Sequence, residues 1–335
     1  RVAGNFVRVR ILSLPFEVYN ISLEKYLQAQ GVVRPAMLSS VFEILVLVSA
    51  NFVFVVGLRL PYVWLAVSFV LADACSSLMM TLLAFRYPEV QRTFQGLFGP
   101  ESLKGWRQFF KLGIPGALMI CLEWWCFELL VLCAGVLGTN FAAAQAIVYQ
   151  TIALAYMVPL GLGIATASLI GNALGAGKLA LARKIATASY SIIICVQVLI
   201  ALTIFFGRKL WASAYTQDSV VINIVTGALP ITAFFVILDG ICCISASVLR
   251  GSGHQYLGAI VNFFMYYPFG IPFAIFLAFY MDLKVNGLMW GIGTANGLQS
   301  FIFLLYVVFT RWETKKTISV DDRRSTSRTI SRSQC

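Results

Sequence analysis

Eight long stretches of this sequence are nearly free of charge. They run over residues 38–58, 60–85, 108–137, 141–169, 184–206, 220–248, 257–280 and 285–310. An α-helix needs about 20 apolar residues to cross the hydrocarbon core of a bilayer, and each stretch is long enough. Residues 11–30 read as a further, partly polar helix whose start is expected before Arg1. A membrane β-barrel would show alternating segments of about ten residues, whereas these runs are apolar on every face. The expected fold class is therefore an all-α polytopic membrane protein, with about eight complete transmembrane helices plus part of one more. Composition agrees: 59% of residues are hydrophobic and 12% charged. Soluble domains are about half apolar and a quarter charged, so an ordinary soluble enzyme, a disordered chain and a collagen-like chain are all excluded.

The net charge of +11 does not point to nucleic acid, because Lys and Arg sit in short runs between apolar stretches rather than on one solvated face. Their distribution sets an orientation instead. If the 24–35 connection is cytoplasmic, that side receives 18 of the 25 Lys and Arg, which fits the positive-inside rule. Residues 312–335, with the run RRSTSRTISRS, then form a basic, disordered cytoplasmic tail. Seven of the eight cysteines fall inside apolar segments, no CxxC pair occurs and His254 is the single histidine. That pattern fits packed thiols and gives no metal site.

A weak repeat links Leu27–Gly31 to Leu249–Gly253 at an offset of 222, with Leu14-Pro15 and Leu229-Pro230 expected to open a helix upstream of each. Transporters are often built from such repeats. The second copy begins near residue 108, so the first is expected to begin roughly a hundred residues before Arg1. Twelve helices are expected in the full protein. Residues 1–95 would carry the end of the first lobe (the end of helix 4 to helix 6), 96–107 a cytoplasmic inter-lobe linker and 108–311 the second lobe, helices 7–12.

A carboxyl group inside a membrane is expensive and marks a functional site unless it is paired. Glu123 and Glu128 lie in one span and Asp239 in another. Five residues separate Glu123 from Glu128, about 140° around a helix, so they do not share a face. A carboxyl held away from water is suited to take up and release protons near neutral pH. Glu43 and Asp73, nearer span ends or among small polar residues, read as structural. Trp124, Tyr149 and Tyr156 are candidates for an aromatic cavity that would seat an organic cation; Gln150 is a polar candidate in the same cavity. Pro159, Gly161 and Gly163 are expected to interrupt one span, and Pro268, Gly270 and Pro272 another, as helices do where they line a cavity. Residues 171–178 (GNALGAGK) fail as a phosphate loop, because Asn172 stands at the first glycine and Leu179 at the Ser/Thr position. With no Ser/His/Asp or Cys/His constellation either, no enzyme is expected.

The stretches MICLEWWCFE, AQAIVYQ, VPLGLGIATASLIGNALGAGK and SVLRGSGHQYLGAIVN, with EKYLQAQGVVRP before them, resemble the multidrug and toxin extrusion (MATE) family in its eukaryotic branch. The resemblance runs over nearly all of residues 11–310. It implies two six-helix lobes and proton-coupled export of organic cations or other xenobiotics by alternating access, with no cofactor; sodium stays open as the coupling ion. Carried over by motif, the proton- or cation-binding acids are Glu123, Glu128 and Asp239, the last standing where animal members carry glutamate. Gln150 stands where animal members also carry glutamate, and a neutral amide carries no proton. Roughly three and a half helices of the family pattern lie before Arg1, so the chain as given is not expected to transport alone. The expected partners are the substrate and the lipid bilayer, with no nucleic acid, in a monomer. The expected location is a plasma membrane rather than an organelle. Two other readings stay open: a flippase for lipid-linked substrates, and a non-transporting fragment.

Overall fold

The computed structural model describes residues 2–93 and 106–309. These form two compact units, one up to Thr93 and the other from Trp106. Both are helical, with no strand among the described residues. Eight helical segments among the described residues are long and apolar enough to cross a membrane, and they match the eight stretches above; those at Thr139–Gly175, Leu179–Tyr215 and Ser219–Gly251 extend further at both ends.

In the first unit, α1 (Val2–Arg10) passes through a short 3₁₀ turn at Ile11–Ser13 into α2 (Leu14–Ala29). Helices α3 (Arg34–Asn51) and α4 (Val63–Ala84) follow, and α5 (Pro88–Thr93) is a single short turn. Leu27, Met80, Ala84 and Val90 make the buried cluster that joins α2, α4 and α5. Arg10 lies inside this unit as a cation among carboxylates. It donates to Asp73 Oδ2 at 2.6 Å, pairs with Glu17 and sits 4.6 Å from the centre of the Phe69 ring. Asp73 thus has a partner, as a buried charge requires.

In the second unit α6 (Trp106–Leu137), α7 (Thr139–Gly175), α8 (Leu179–Tyr215) and α9 (Ser219–Gly251) are long single helices. The next span is composite: α10 (Gln255–Phe264), a π turn at Met265–Gly270, α11 (Ile271–Ile275) and a second π turn at Phe276–Tyr280. Helix α12 (Lys284–Phe309) completes the unit. Helix α9 is central and packs on α7, α8 and α12. Asp218 caps its start, accepting from the Val220 N–H at 2.8 Å, which satisfies one of the orphan donors of a first turn.

Two expectations about proline are corrected. Residues 159–163 do not interrupt a span: α7 runs unbroken through Pro159, and α9 runs through Pro230, which therefore does not open a helix. One lost backbone hydrogen bond does not end a helix whose neighbours hold it in place. Gly163 serves packing instead. A Cβ there would lie 2.5 Å from Ser247 Oγ of α9. Around Pro268 and Pro272 the helix changes to π turns rather than breaking; the Ile271 N–H reaches the Tyr266 carbonyl, five residues back.

The weak repeat has a structural counterpart. Gly31 and Gly253 both adopt φ of +76°. After each, the following N–H bonds back to the carbonyl of the repeated leucine, Val32 to Leu27 at 3.0 Å and His254 to Leu249 at 2.8 Å. Both are Schellman turns, for which glycine is favoured. Of the expected linker at 96–107, Trp106 and Arg107 already belong to α6. The rest of it, and the tail at 312–335, lie outside the described residues.

Candidate functional site

Three helices of the second unit converge on one small cavity. Helix α6 contributes Glu123, Trp124 and Phe127; α7 contributes Tyr149, Ile152, Ala153 and Tyr156; α9 contributes Asp239. The α7 residues recur at three- and four-residue intervals, so they form one stripe of the helix. The Trp124 and Tyr156 rings meet edge to face at 6.1 Å. Phe127 stacks on Tyr149 at 5.8 Å and meets Phe235 edge-on at 5.9 Å. Water-accessible space is about 20 Å³, room for about one water. In this conformation the space admits a water or a proton, and no organic cation.

The acids differ in setting. Asp239 is 3% exposed. It accepts a hydrogen bond from Asn296 Nδ2 of α12 at 3.1 Å and lies within electrostatic reach of Glu123. Glu123 in turn lies within reach of Arg250, near the end of α9, whose Nη2 donates to Ser247 Oγ at 2.8 Å. Tyr156 lies against Cys243. Two carboxyl groups therefore share a mostly aromatic, poorly hydrated space, with the Arg250 guanidinium within electrostatic reach of one of them. Such a set can exchange one proton for one positive charge at little cost in net charge.

Of the residues expected at a site, Glu123, Trp124, Tyr149, Tyr156 and Asp239 line the cavity. Glu128 and Gln150 do not. Glu128 is exposed and lies beside the hydroxyl of Tyr149, which itself lines the cavity. Gln150 follows Tyr149 by one residue, about 100° around the helix, and is exposed. Phe127, Tyr266 and Asn296 escaped the sequence reading. Asn296 had a signal, a carboxamide in the middle of an apolar span. Among the described residues no group of three or more His, Cys, Asp or Glu is placed to hold a metal.

The MatE family model matches residues 115–276, from the first third of α6 to the start of the second π turn, which includes Glu123, Tyr156 and Asp239. Multidrug and toxin extrusion protein 1 of Homo sapiens is 35% identical over 93% of this chain and 55% of its own length. The chain belongs to the MATE family. An uncharacterized transporter of Schizosaccharomyces pombe is 33% identical over 88% of the chain and 54% of its own length. Among solved structures, the eukaryotic MATE transporter AtDTX14 superposes with a TM-score of 0.87 at 29% identity, covering 92% of this chain and 69% of that one. The chain spans about half the length of the curated MATE relatives it matches, 55% for the human protein. Family membership and the apolar helices together make it an integral, multi-pass membrane protein of MATE fold.

Proposed function

We propose that the protein is a proton-coupled antiporter that exports organic cations or related xenobiotics by alternating access. The observation that carries this reading is the convergence of Glu123 and Asp239 with Trp124, Tyr149 and Tyr156 on one cavity. Carboxylates attract a cation and aromatic faces hold it without full hydration. A proton arriving from the outer side neutralises one acid and weakens the grip on the cation, which leaves. On the inner side the acid releases its proton and a new cation binds. The two ligands compete for one negative charge, so neither half-cycle runs alone. The water-sized cavity belongs in this scheme to the state without substrate, and the aromatic walls must part to admit one. The name of the human relative, multidrug and toxin extrusion protein 1, supports the direction and breadth of transport. A plasma-membrane location with a cytoplasmic C-terminal tail belongs to the same reading.

The test uses the complete natural protein in proteoliposomes, with a fluorescent organic cation and an imposed proton gradient. Glu123→Gln is expected to abolish gradient-driven movement while leaving the protein folded. Undiminished movement in that variant would refute the assignment. A response to a sodium gradient and not to a proton gradient would replace the coupling ion.

A further inference from the structure

Helix α12 carries an unusual stripe for a membrane span. Asn296, Gln299 and Ser300 are spaced to share one face, are 0%, 0% and 4% exposed, and all reach α9. Gln299 Nε2 lies 3.0 Å from Cys242 Sγ, and Ser300 Oγ donates to the Leu238 carbonyl at 3.0 Å. Asn296 Nδ2 donates to Asp239 Oδ1 at 3.1 Å and to Tyr266 Oη at 3.3 Å, while its Oδ1 stands 3.5 Å from Ser300 Oγ. Apolar side chains would fill such a space at lower cost.

Resting on the antiport reading above, we propose that Asn296 is a positioning residue that registers whether Asp239 carries a proton and passes that state to α12 and to the π turn holding Tyr266. A carboxamide has a donor end and an acceptor end. Toward an ionised carboxylate it presents the donor, as the structure has it. A carboxyl protonated on Oδ1, the oxygen that faces Asn296, is a donor there and needs an acceptor opposite it. Half a turn of the amide supplies one by bringing Oδ1 to the carboxyl and Nδ2 to Ser300. Both remaining neighbours are hydroxyls, which donate or accept as required. Tyr266 Oη then donates to Oδ1 instead of accepting from Nδ2, and Ser300 Oγ accepts from Nδ2. In the present arrangement the single Ser300 O–H points mainly to the Leu238 carbonyl at 3.0 Å and only weakly to Oδ1 at 3.5 Å; in the turned one it keeps Leu238 and accepts from Nδ2, so the amide has two arrangements selected by one proton.

The other groups within electrostatic reach of Asp239 are Glu123 of α6, Tyr156 of α7, Tyr266 of the π turn, and Cys242 and Cys243 of α9 itself. Arg250 acts on Glu123. Asn296 differs from all of these in having no proton to lose, so it reports the state of Asp239 without competing for it.

The experiment measures Asp239 directly. A hydrophobic carbodiimide modifies protonated carboxyls inside membranes, and peptide mass spectrometry gives the pH of half-labelling for the complete protein in proteoliposomes. Cation movement is recorded on the same samples. Asn296→Leu removes the donor to the carboxylate and is expected to move half-labelling by about one pH unit to the alkaline side. The pH profile of transport is expected to move with it. Asn296→Ser, which restores a group able to donate or accept, is expected to recover most of the shift. Asn296→Ala also removes the donor with a smaller change of shape, so it carries the same expectation if the leucine variant does not fold. Half-labelling unchanged in both Asn296→Leu and Asn296→Ala would overturn the proposal, even if transport fell, and would leave Asn296 a packing residue. Asp239→Asn transporting like the parent would overturn the antiport reading itself, and this proposal with it.

Discussion

The approach of α12 to α11 yields a sharp prediction, because two glycines two residues apart should respond oppositely to the same change. A Cβ on Gly291 would lie 2.3 Å from Ala274 Cα and 2.6 Å from Ala274 N, both backbone atoms. Carbon–carbon contacts are optimal at about 3.5–4.0 Å, so Gly291→Ala requires the two helices to part by about an ångström. Ile292, Leu288 and Ala295 around it are 0% exposed, so the strain has no surface to relax into. Overpacking of this kind costs about 1–3 kcal/mol, occasionally more. The gain in helix propensity returns up to about 1 kcal/mol, leaving a net loss of about 0–2 kcal/mol against the parent and about 1–3 kcal/mol against a variant that has the gain alone. Gly293 is the control. A Cβ there meets Phe235 Cδ2 at 3.8 Å, ordinary contact, so Gly293→Ala keeps the propensity gain and should be neutral or stabilising. At about 2–4 °C per kcal/mol for a unit of this size, the two variants should melt several degrees apart in detergent. Cys126, Cys242 and Cys243 are buried free thiols, so a maleimide dye that fluoresces on thiol exposure reads the transition. Equal melting temperatures, or a Gly291→Ala variant more stable than the parent, would show that the helices are not held at this distance.

Two further stability measurements follow in the same melting assay. Asp73→Asn should destabilise more than Glu17→Gln, although both pair with Arg10, because the Asp73 side chain is 7% exposed and that of Glu17 is 33%; exposed pairs contribute at most about 1 kcal/mol and buried ones more when broken. Asp218→Ala removes the cap of α9 and should cost about 1 kcal/mol, with faster amide exchange confined to the first turn of that helix.

The spans were legible because nothing but a bilayer tolerates apolar runs of such length, although the longest helices extend past the apolar stretches at both ends. Helix α8 extends to Leu179–Tyr215, past residues 184–206, because Lys184, Arg208 and Lys209 lowered the apolar signal where the helix meets water. Glu123 and Asp239 were legible for a related reason: a carboxyl in such a run is too costly to be accidental. Asn296 and Tyr266 were not. An amide and a phenol are cheap enough to pass as packing, and Asn296 meets Asp239 across 57 residues of sequence, a distance no helical periodicity spans. Pro159 misled because proline is read as a breaker from propensity alone, whereas the packing of α7 on α9 decides the outcome. Tyr149 and Gln150 show the limit of spacing arguments: both are polar and adjacent, and the rotation of α7 turned one toward the cavity and left the other outside its lining.

The π turn at Met265–Gly270 bears on how this sequence can change over time. A π turn closes its hydrogen bond over five residues where an α turn closes over four; it accommodates one residue more than a regular helix of the same rise. Loss of a single codon there would let the segment close up as a regular α-helix of the same rise, and the faces of α10 and α11 would stay in phase. The same loss among residues 284–295 of α12, a regular helix, would rotate everything beyond it by about 100° and carry Asn296 away from Asp239. A one-residue deletion is thus absorbed at the π turn and acts like a frameshift in three dimensions in the helix beside it. Natural variants of this protein should therefore tolerate a change of length at residues 265–270 while keeping the length of α12 constant.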